Sequence, residues 1–142
     1  MKKYSIALYL FSTFIISCKS KVNGKIKVIK LIETSKSWNG TPLPKYLEGT
    51  PKVTILKITI PPKTELKKHM HPEINAGVLL KGELTVISEN KDTLHLKAGD
   101  PIVELVNLWH YGKNEGDIPA EIIVFYAGIE GTPITILKGK DY

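Results

Sequence analysis

Three histidines are spaced so that they could bind one metal ion. Two of them stand two residues apart in His69-Met70-His71, and the third, His110, follows a Gly99-Asp100 turn. If the first pair lies on a β-strand, both side chains point to the same face, with Cα atoms roughly 7 Å apart. Imidazole nitrogens bind Zn, Cu, Fe and Ni. The pattern predicts a three-histidine metal site; the alternative is a buried, hydrogen-bonded histidine pair.

Two polar residues share the strand face expected for His69 and His71. Asn75 offers an amide oxygen but no charge, so a bound ion would keep its full positive charge. That favours a bound water with a lowered pKa, or an anionic substrate. Glu73 could supply a carboxylate, although Pro72 and Ile74 beside it fit a surface glutamate better.

Other polar residues are weaker candidates. Glu104, in the segment before His110, could act as acid, base or a partner that orients a ligand. Tyr111, beside Trp109, could line a pocket and take part in catalysis, but core packing explains both aromatics equally well. His95 lies between Leu94 and Leu96 and is expected to face solvent, without a role as ligand.

The spacing of these residues resembles the two sequence motifs of the cupin superfamily, G-x5-HxH-x3,4-E-x6-G and G-x5-PxG-x2-H-x3-N. The matching residues are His69, His71 and Gly82 in the first motif, and Gly99, His110 and Asn114 in the second. The resemblance spans residues 53–127. It implies a jelly-roll β-barrel, one divalent transition metal (Fe, Zn, Mn, Ni or Cu), a structural hydrogen bond from Asn114, and a homodimer.

The chain departs from both motifs. Lys63 replaces the leading glycine of the first motif, and Leu105 and Asn107 replace the proline and glycine of the second. Asn75 stands where the family usually places a glutamate ligand. The metal ligands that the resemblance implies are therefore the three histidines, with Asn75 as a weak or absent fourth ligand.

Short β-rich segments separated by turn residues predict an all-β protein, and no sustained helical period of apolar residues follows residue 17. Many short strands of this kind are typical of sandwiches and barrels. The predicted strands cover 25–32, 53–60, 77–80, 83–88, 93–96, 101–106, 120–127 and 134–137. The segments 77–80 and 83–88 are expected to pair across Lys81-Gly82.

The beginning of the chain predicts a lipoprotein. A basic end, Met1-Lys2-Lys3, precedes a mostly apolar run that is too short to span a bilayer but suits a signal peptide. The run ends in Ile15-Ile16-Ser17-Cys18, which resembles a bacterial lipoprotein box. We expect a signal peptide over 1–17, lipidation of Cys18, a tether over 18–25 and one cupin domain over 26–142. An ordinary secretory signal with an incidental cysteine is the alternative.

The charge excludes some functions. The formal net charge is +6, and all basic residues are lysine. A nucleic-acid reader would use arginine for bidentate contacts, so we expect no nucleic-acid partner. Five lysines without an acidic residue among them follow Cys18, which favours either anionic lipid head groups or a solvated tether. Cys18 is the single cysteine, so neither an internal disulfide nor thiolate catalysis is available.

Two classes of function remain open at this point. One is a metal-dependent dioxygenase or isomerase acting on a small molecule outside the cytoplasm. The other is a non-enzymatic cupin that binds a small ligand or holds a metal, which the missing glutamate favours slightly. A fold by itself does not determine function.

Replacing Cys18 tests the predicted anchor. Cys18→Ala should leave the protein folded but release it from membranes, because a single lipidated residue would carry the attachment. No acidic residue follows the cysteine at Lys19 or Ser20, so we expect a lipoprotein of the outer membrane facing the periplasm. Membrane fractionation compares the two proteins, and equal membrane fractions would contradict the anchor.

Overall fold

The computed structural model describes residues 24–139. Ten strands form in this part of the chain: β1 (Pro51–Ile60), β2 (Thr64–Glu65), β3 (His69–Met70), β4 (Ile74–Lys81), β5 (Glu83–Ser88), β6 (Thr93–Lys97), β7 (Pro101–Val103), β8 (His110–Asn114), β9 (Ala120–Ile129) and β10 (Ile136–Leu137). Residues 24–139 contain no helix, and hence none that could cross a membrane. The predicted signal peptide and Cys18 lie outside the described residues.

The strands form two antiparallel sheets. One has four strands in the order β1-β9-β4-β7, and the other has the order β10-β3-β8-β5-β6, with β2 paired to β8. Consecutive strands repeatedly cross from one sheet to the other, as in a jelly roll. The all-β jelly-roll prediction is confirmed.

The core lies between the two sheets, because alternate side chains of each strand point inward. In β9, for example, Ile122, Val124 and Tyr126 are buried, whereas Ile123 and Phe125 between them are exposed. The same alternation in β8 buries His110, Gly112 and Asn114. An inward-facing strand residue therefore reaches the interior whether it is apolar or polar.

Two sequence-based expectations about strands were wrong, and one strand of the site was not expected. The segment 25–32 forms no strand, because its backbone pairs with no neighbour, and its apolar residues such as Ile26 and Val28 are exposed. Strands β4 and β5 do not pair across Gly82; β4 pairs with β7 and β9, whereas β5 pairs with β6 and β8. Strand β8 was not predicted, since a histidine, a glycine and a lysine obscure its alternation.

Two of the motif departures occur where the backbone is left-handed. Lys63 has φ +54° and Asn107 has φ +56°, a region in which glycine is unstrained and most other residues are not. At both positions the motifs have glycine. Asn tolerates this conformation comparatively well, and the Asn107 N–H donates to the His71 carbonyl at 2.8 Å. The turn geometry is therefore kept without the glycines.

Asn114 connects the end of β8 to the end of β1. Its side-chain amide donates to the carbonyls of Ile60, Pro61 and Ile118 at 2.8–3.1 Å, and its Oδ1 accepts from the Gly116 N–H at 3.0 Å. The side chain is 1% exposed. This is the structural hydrogen-bonding role that the motif resemblance implies for Asn114.

Truncating Asn114 should destabilise the domain. Asn114→Ala leaves buried carbonyl groups without their donor, so we expect the free energy of unfolding to fall by roughly 2–4 kcal/mol. Asn90→Ala, in an exposed turn, is the matched control and should change it by less than about 0.5 kcal/mol. Urea unfolding followed by circular dichroism measures both, and equal effects would contradict this role.

Candidate metal centre

Strands β3 and β8 bring the predicted histidines together. His69 in β3 lies directly opposite His110 in β8, and His71 follows β3 and bridges to Val106. The ring centroids are 4.6 Å apart for His69–His110, 5.0 Å for His69–His71 and 5.2 Å for His71–His110. One nitrogen of each ring lies within 4.8 Å of the corresponding nitrogens of the other two.

Backbone carbonyls determine which nitrogen of each ring carries the proton. The Nδ1 atoms of His69, His71 and His110 lie 2.7, 2.6 and 2.9 Å from the carbonyl oxygens of Lys67, Ile134 and Leu108. A carbonyl oxygen can only accept, so each Nδ1 must carry hydrogen and donate it. In a neutral ring, Nε2 is then left with its lone pair. Three lone pairs are thereby available to one ligand.

Burial keeps the three rings neutral. Desolvation lowers the pKa of His69 and of His110, and it lowers the pKa of His71 to about 3, because a charged imidazolium loses its hydration inside the protein. The bonds to backbone carbonyls act in the opposite direction but are smaller in effect. Metal binding requires unprotonated imidazole, so the protons compete with an ion less than they would for exposed histidines.

The histidines open into a small cavity between the two sheets. Its volume is about 140 Å³, below the roughly 300–1,000 Å³ of sites for drug-sized ligands. Besides the three histidines, the walls are largely aliphatic: Leu56, Ile58, Ile60, Leu66, Leu84, Val86, Ile122 and Val124. A ligand that reaches the histidines must therefore be small, and most of the wall around it is apolar.

Glu104 lies at the edge of the histidine cluster. Its Oε2 is 3.5 Å from Nε2 of His110, and both atoms are buried without a hydrogen-bond partner. Desolvation raises the pKa of this carboxyl to about 7, because no group nearby compensates fully for the lost hydration of a carboxylate. The predicted candidate is thus brought to the site.

Two other residues of the first motif are buried but do not line the cavity. Asn75 is 1% exposed; its Nδ2 donates to the Glu73 carbonyl at 3.1 Å and its Oδ1 has no partner. Glu73 is 2% exposed rather than on the surface as expected. Its carboxylate lies over Gly128, in the space that a Cβ at that position would occupy, so this contact requires glycine.

Tyr126 was not recognised from the sequence as a site residue. It lines the cavity, and its ring centroid lies 5.6 Å from that of His71. Burial, together with Glu104 and Glu73, raises the pKa of its phenol to about 12, so the hydroxyl stays protonated and can donate. The alternation of β9, which places Tyr126 on the face of Val124, was the available signal.

Tyr111 is not brought to the cavity. It follows His110 on β8, and neighbouring strand residues point to opposite faces, so Tyr111 lies outside with Lys113. His95 is exposed, and its Nδ1 lies 3.0 Å from Thr85 Oγ1. The predicted solvent-facing position of His95 agrees with this exposure.

The residues present fit a transition metal. Three neutral imidazole nitrogens converge, and the buried Nε2 of His110 and Oε2 of Glu104 have no other partner. Nitrogen-rich sites of this kind suit Fe, Cu, Zn or Ni. When bound, such an ion would polarise an oxygen-bearing ligand or supply redox chemistry, depending on the metal.

The sequence matches the family model described as a cupin domain over residues 56–126, half of the chain. The chain therefore belongs to the cupin family. Its jelly roll and its three-histidine cluster are those of a cupin able to hold a metal ion.

Solved structures share the fold. An uncharacterised double-stranded β-helix protein from Klebsiella pneumoniae has a TM-score of 0.53 and 23% identity, covering 82% of this chain and 100% of its own. A DMSP lyase from Ruegeria pomeroyi has a TM-score of 0.54 and 20% identity, covering 70% of this chain and 47% of its own. Oxalate oxidase in complex with glycolate has a TM-score of 0.52 and 23% identity, covering 61% of this chain and 46% of its own. The match thus spans about half the length of the two enzymes. No curated protein matches the sequence significantly.

The lowered pKa of His71 predicts how the metal-free protein responds to acid. A group whose folded-state pKa is depressed stabilises the fold above its unfolded value, about 6.5, and that stability is lost as pH falls towards about 3. For His71 the loss amounts to at most roughly 1.4 kcal/mol per pH unit. His71→Gln should therefore flatten the decrease in unfolding free energy below pH 6.5.

The measurement is urea unfolding in EDTA between pH 7.5 and 5. Glu104 acts in the opposite sense, since its raised pKa costs stability as pH rises from about 4.5 to about 7. The difference between His71→Gln and wild type isolates His71 from that effect. His95→Gln, an exposed histidine, is the control. Parallel curves for His71→Gln and wild type would contradict the buried neutral state.

Proposed function

We propose that the protein is a membrane-anchored cupin lipoprotein that binds one divalent transition metal through His69, His71 and His110. It acts there on a small molecule, in a reaction of the dioxygenase or isomerase type. The observation that supports this most strongly is the clustering of the three rings, one nitrogen of each lying within 4.8 Å of the others, while each Nδ1 donates to a backbone carbonyl and leaves Nε2 unprotonated.

The protein's own residues suit a small, polar or anionic substrate. A cavity of about 140 Å³ has room for only a few heavy atoms beside the histidines. Its aliphatic walls hold the carbon skeleton and exclude water, which strengthens polar interactions inside. Tyr126 offers a protonated hydroxyl as a donor to a substrate oxygen. The glycolate complex of oxalate oxidase gives a structural precedent for a small hydroxy acid in a related fold.

Two parts of the proposal concern assembly and location. The anchor rests on Cys18 and the preceding apolar run. The homodimer rests on the family resemblance and on the outer face of the four-stranded sheet, where Val53, Ile55 and Phe125 are exposed. Exposed apolar residues grouped on one sheet face favour an interface.

A non-enzymatic metal- or ligand-binding cupin is the second candidate. Asn75, in place of the family's usual glutamate, is the observation that favours it. Oxygen consumption by the metal-loaded protein against a panel of small organic acids, phenols, thiols and sugars distinguishes the two. Metal binding without turnover of any of them would favour the binding module.

Metal titration of single variants tests the three-histidine site. His69→Ala, His71→Ala and His110→Ala should each weaken binding severely, because two imidazoles hold an ion poorly. Asn75→Ala should matter much less, since Asn75 does not line the cavity. Isothermal titration with Zn²⁺ or Co²⁺ measures the dissociation constants. If His110→Ala binds as tightly as wild type, the site is wrong.

A further inference from the structure

The strand register places Glu104 directly beside the residue that replaces the family's glutamate. Strands β4 and β7 pair Ala76 with Val103, and the Glu104 N–H donates to the Asn75 carbonyl at 3.1 Å, one residue further along. Residues opposite each other in an antiparallel pair project to the same face, with Cβ atoms about 5 Å apart. Glu104 therefore lies next to Asn75, and its side chain projects to the same, inward face.

Of the two side chains, only that of Glu104 lines the cavity that the histidines line. Only 9% of the surface of Glu104 is exposed. Glu73, the other buried carboxylate nearby, is held against Gly128 and does not line the cavity. The carboxylate available to the histidine cluster is therefore that of Glu104.

Neither side chain in the contact between Glu104 and His110 carries a positive charge. The His110 ring donates from Nδ1 to the Leu108 carbonyl, so its Nε2 presents a lone pair. An ionised Glu104 presents further lone pairs from Oε2 at 3.5 Å. Two acceptors facing each other in a buried site repel unless a cation or a proton lies between them. Both atoms are unpartnered in the structure.

The separation suits two ligands of one ion. Metal bonds of roughly 2.0–2.2 Å to nitrogen and oxygen place neighbouring ligand atoms about 2.8–3.1 Å apart at octahedral angles and about 3.3–3.6 Å apart at tetrahedral angles. The observed 3.5 Å between Glu104 Oε2 and His110 Nε2 lies in the tetrahedral range. A lone hydrogen-bonded pair would instead show a shorter distance, near 2.7–2.9 Å for a charge-assisted bond.

We propose that Glu104 is the carboxylate ligand of the metal centre, supplied by the residue that directly follows β7, beside Asn75, in place of the family's glutamate. This rests on the proposed three-histidine site and defines its ligand set as three imidazoles and one carboxylate. The carboxylate reduces the charge of a divalent site from +2 to +1, which Asn75 alone cannot do. Asn75 then serves the backbone geometry beside Glu104 rather than the ion.

The test compares Glu104→Gln with a variant that returns the carboxylate to position 75. Glu104→Gln keeps the shape of the side chain and removes its charge, and should weaken Co²⁺ binding more than about 100-fold, beyond the 10- to 100-fold typical of an outer partner. Asn75→Glu combined with Glu104→Gln should restore affinity to within about tenfold of wild type. Glu130→Gln, an exposed glutamate, is the matched control.

A second measurement reports on coordination directly. The visible absorption bands of Co²⁺ depend on the number and type of its ligands, and they should change in Glu104→Gln and return in the double variant. Thermal unfolding in EDTA verifies that each variant is folded. Glu104→Asp, which keeps the charge on a shorter side chain, provides a milder change and should give an intermediate affinity if Glu104→Gln does not fold.

The outcomes separate this inference from the proposed function. If His110→Ala abolishes binding while Glu104→Gln binds as wild type with an unchanged Co²⁺ spectrum, the carboxylate assignment is overturned and the three-histidine site stands. Loss of affinity in Glu104→Gln that the double variant does not restore also overturns it. If His110→Ala binds as wild type, both proposals fall together.

Discussion

Three hydrogen bonds from imidazole to backbone carbonyl are the interactions on which the site depends. The acceptors come from different parts of the fold: Lys67 before β3, Leu108 before β8, and Ile134 before β10. Each holds a ring in one orientation and one tautomer, as the partners of metal-bound histidines commonly do. His71 is far from Ile134 in sequence, and the pairing of β10 with β3 brings them together. Without that pairing the ring of His71 would lose the Ile134 carbonyl as its acceptor.

Desolvation has opposite consequences for the two kinds of buried group in this site. It keeps the histidines neutral and ready to bind, and it makes an ionised Glu104 costly. A divalent cation would bind the free lone pairs of the histidines and would compensate the negative charge of the carboxylate. The polar cluster is therefore unfavourable as an interior feature of a metal-free protein and favourable as a binding site.

The departures from the motifs show which of their features are physical requirements. Lys63 and Asn107 keep the left-handed backbone that glycine would adopt more easily. The turn shape is therefore kept although the residue type differs. The glutamate of the first motif is replaced by Asn75, but the register places Glu104, the residue after β7, opposite Asn75 on the same face. A side chain can therefore occupy a similar place in the fold from a different position in the sequence.

The sequence by itself determined the all-β class, the cupin family and the grouping of His69, His71 and His110, because strand alternation and motif spacing are local properties. It also predicted the role of Asn114 through the second motif. Only the tertiary structure decided that 25–32 lacks a strand, that β4 and β5 belong to different sheets, and that Tyr126 and Glu104 line the cavity whereas Tyr111 does not. Those outcomes depend on which strands become neighbours and which face of each one is enclosed. Pairing between residues distant in the chain sets both, and a single sequence carries no direct signal of it.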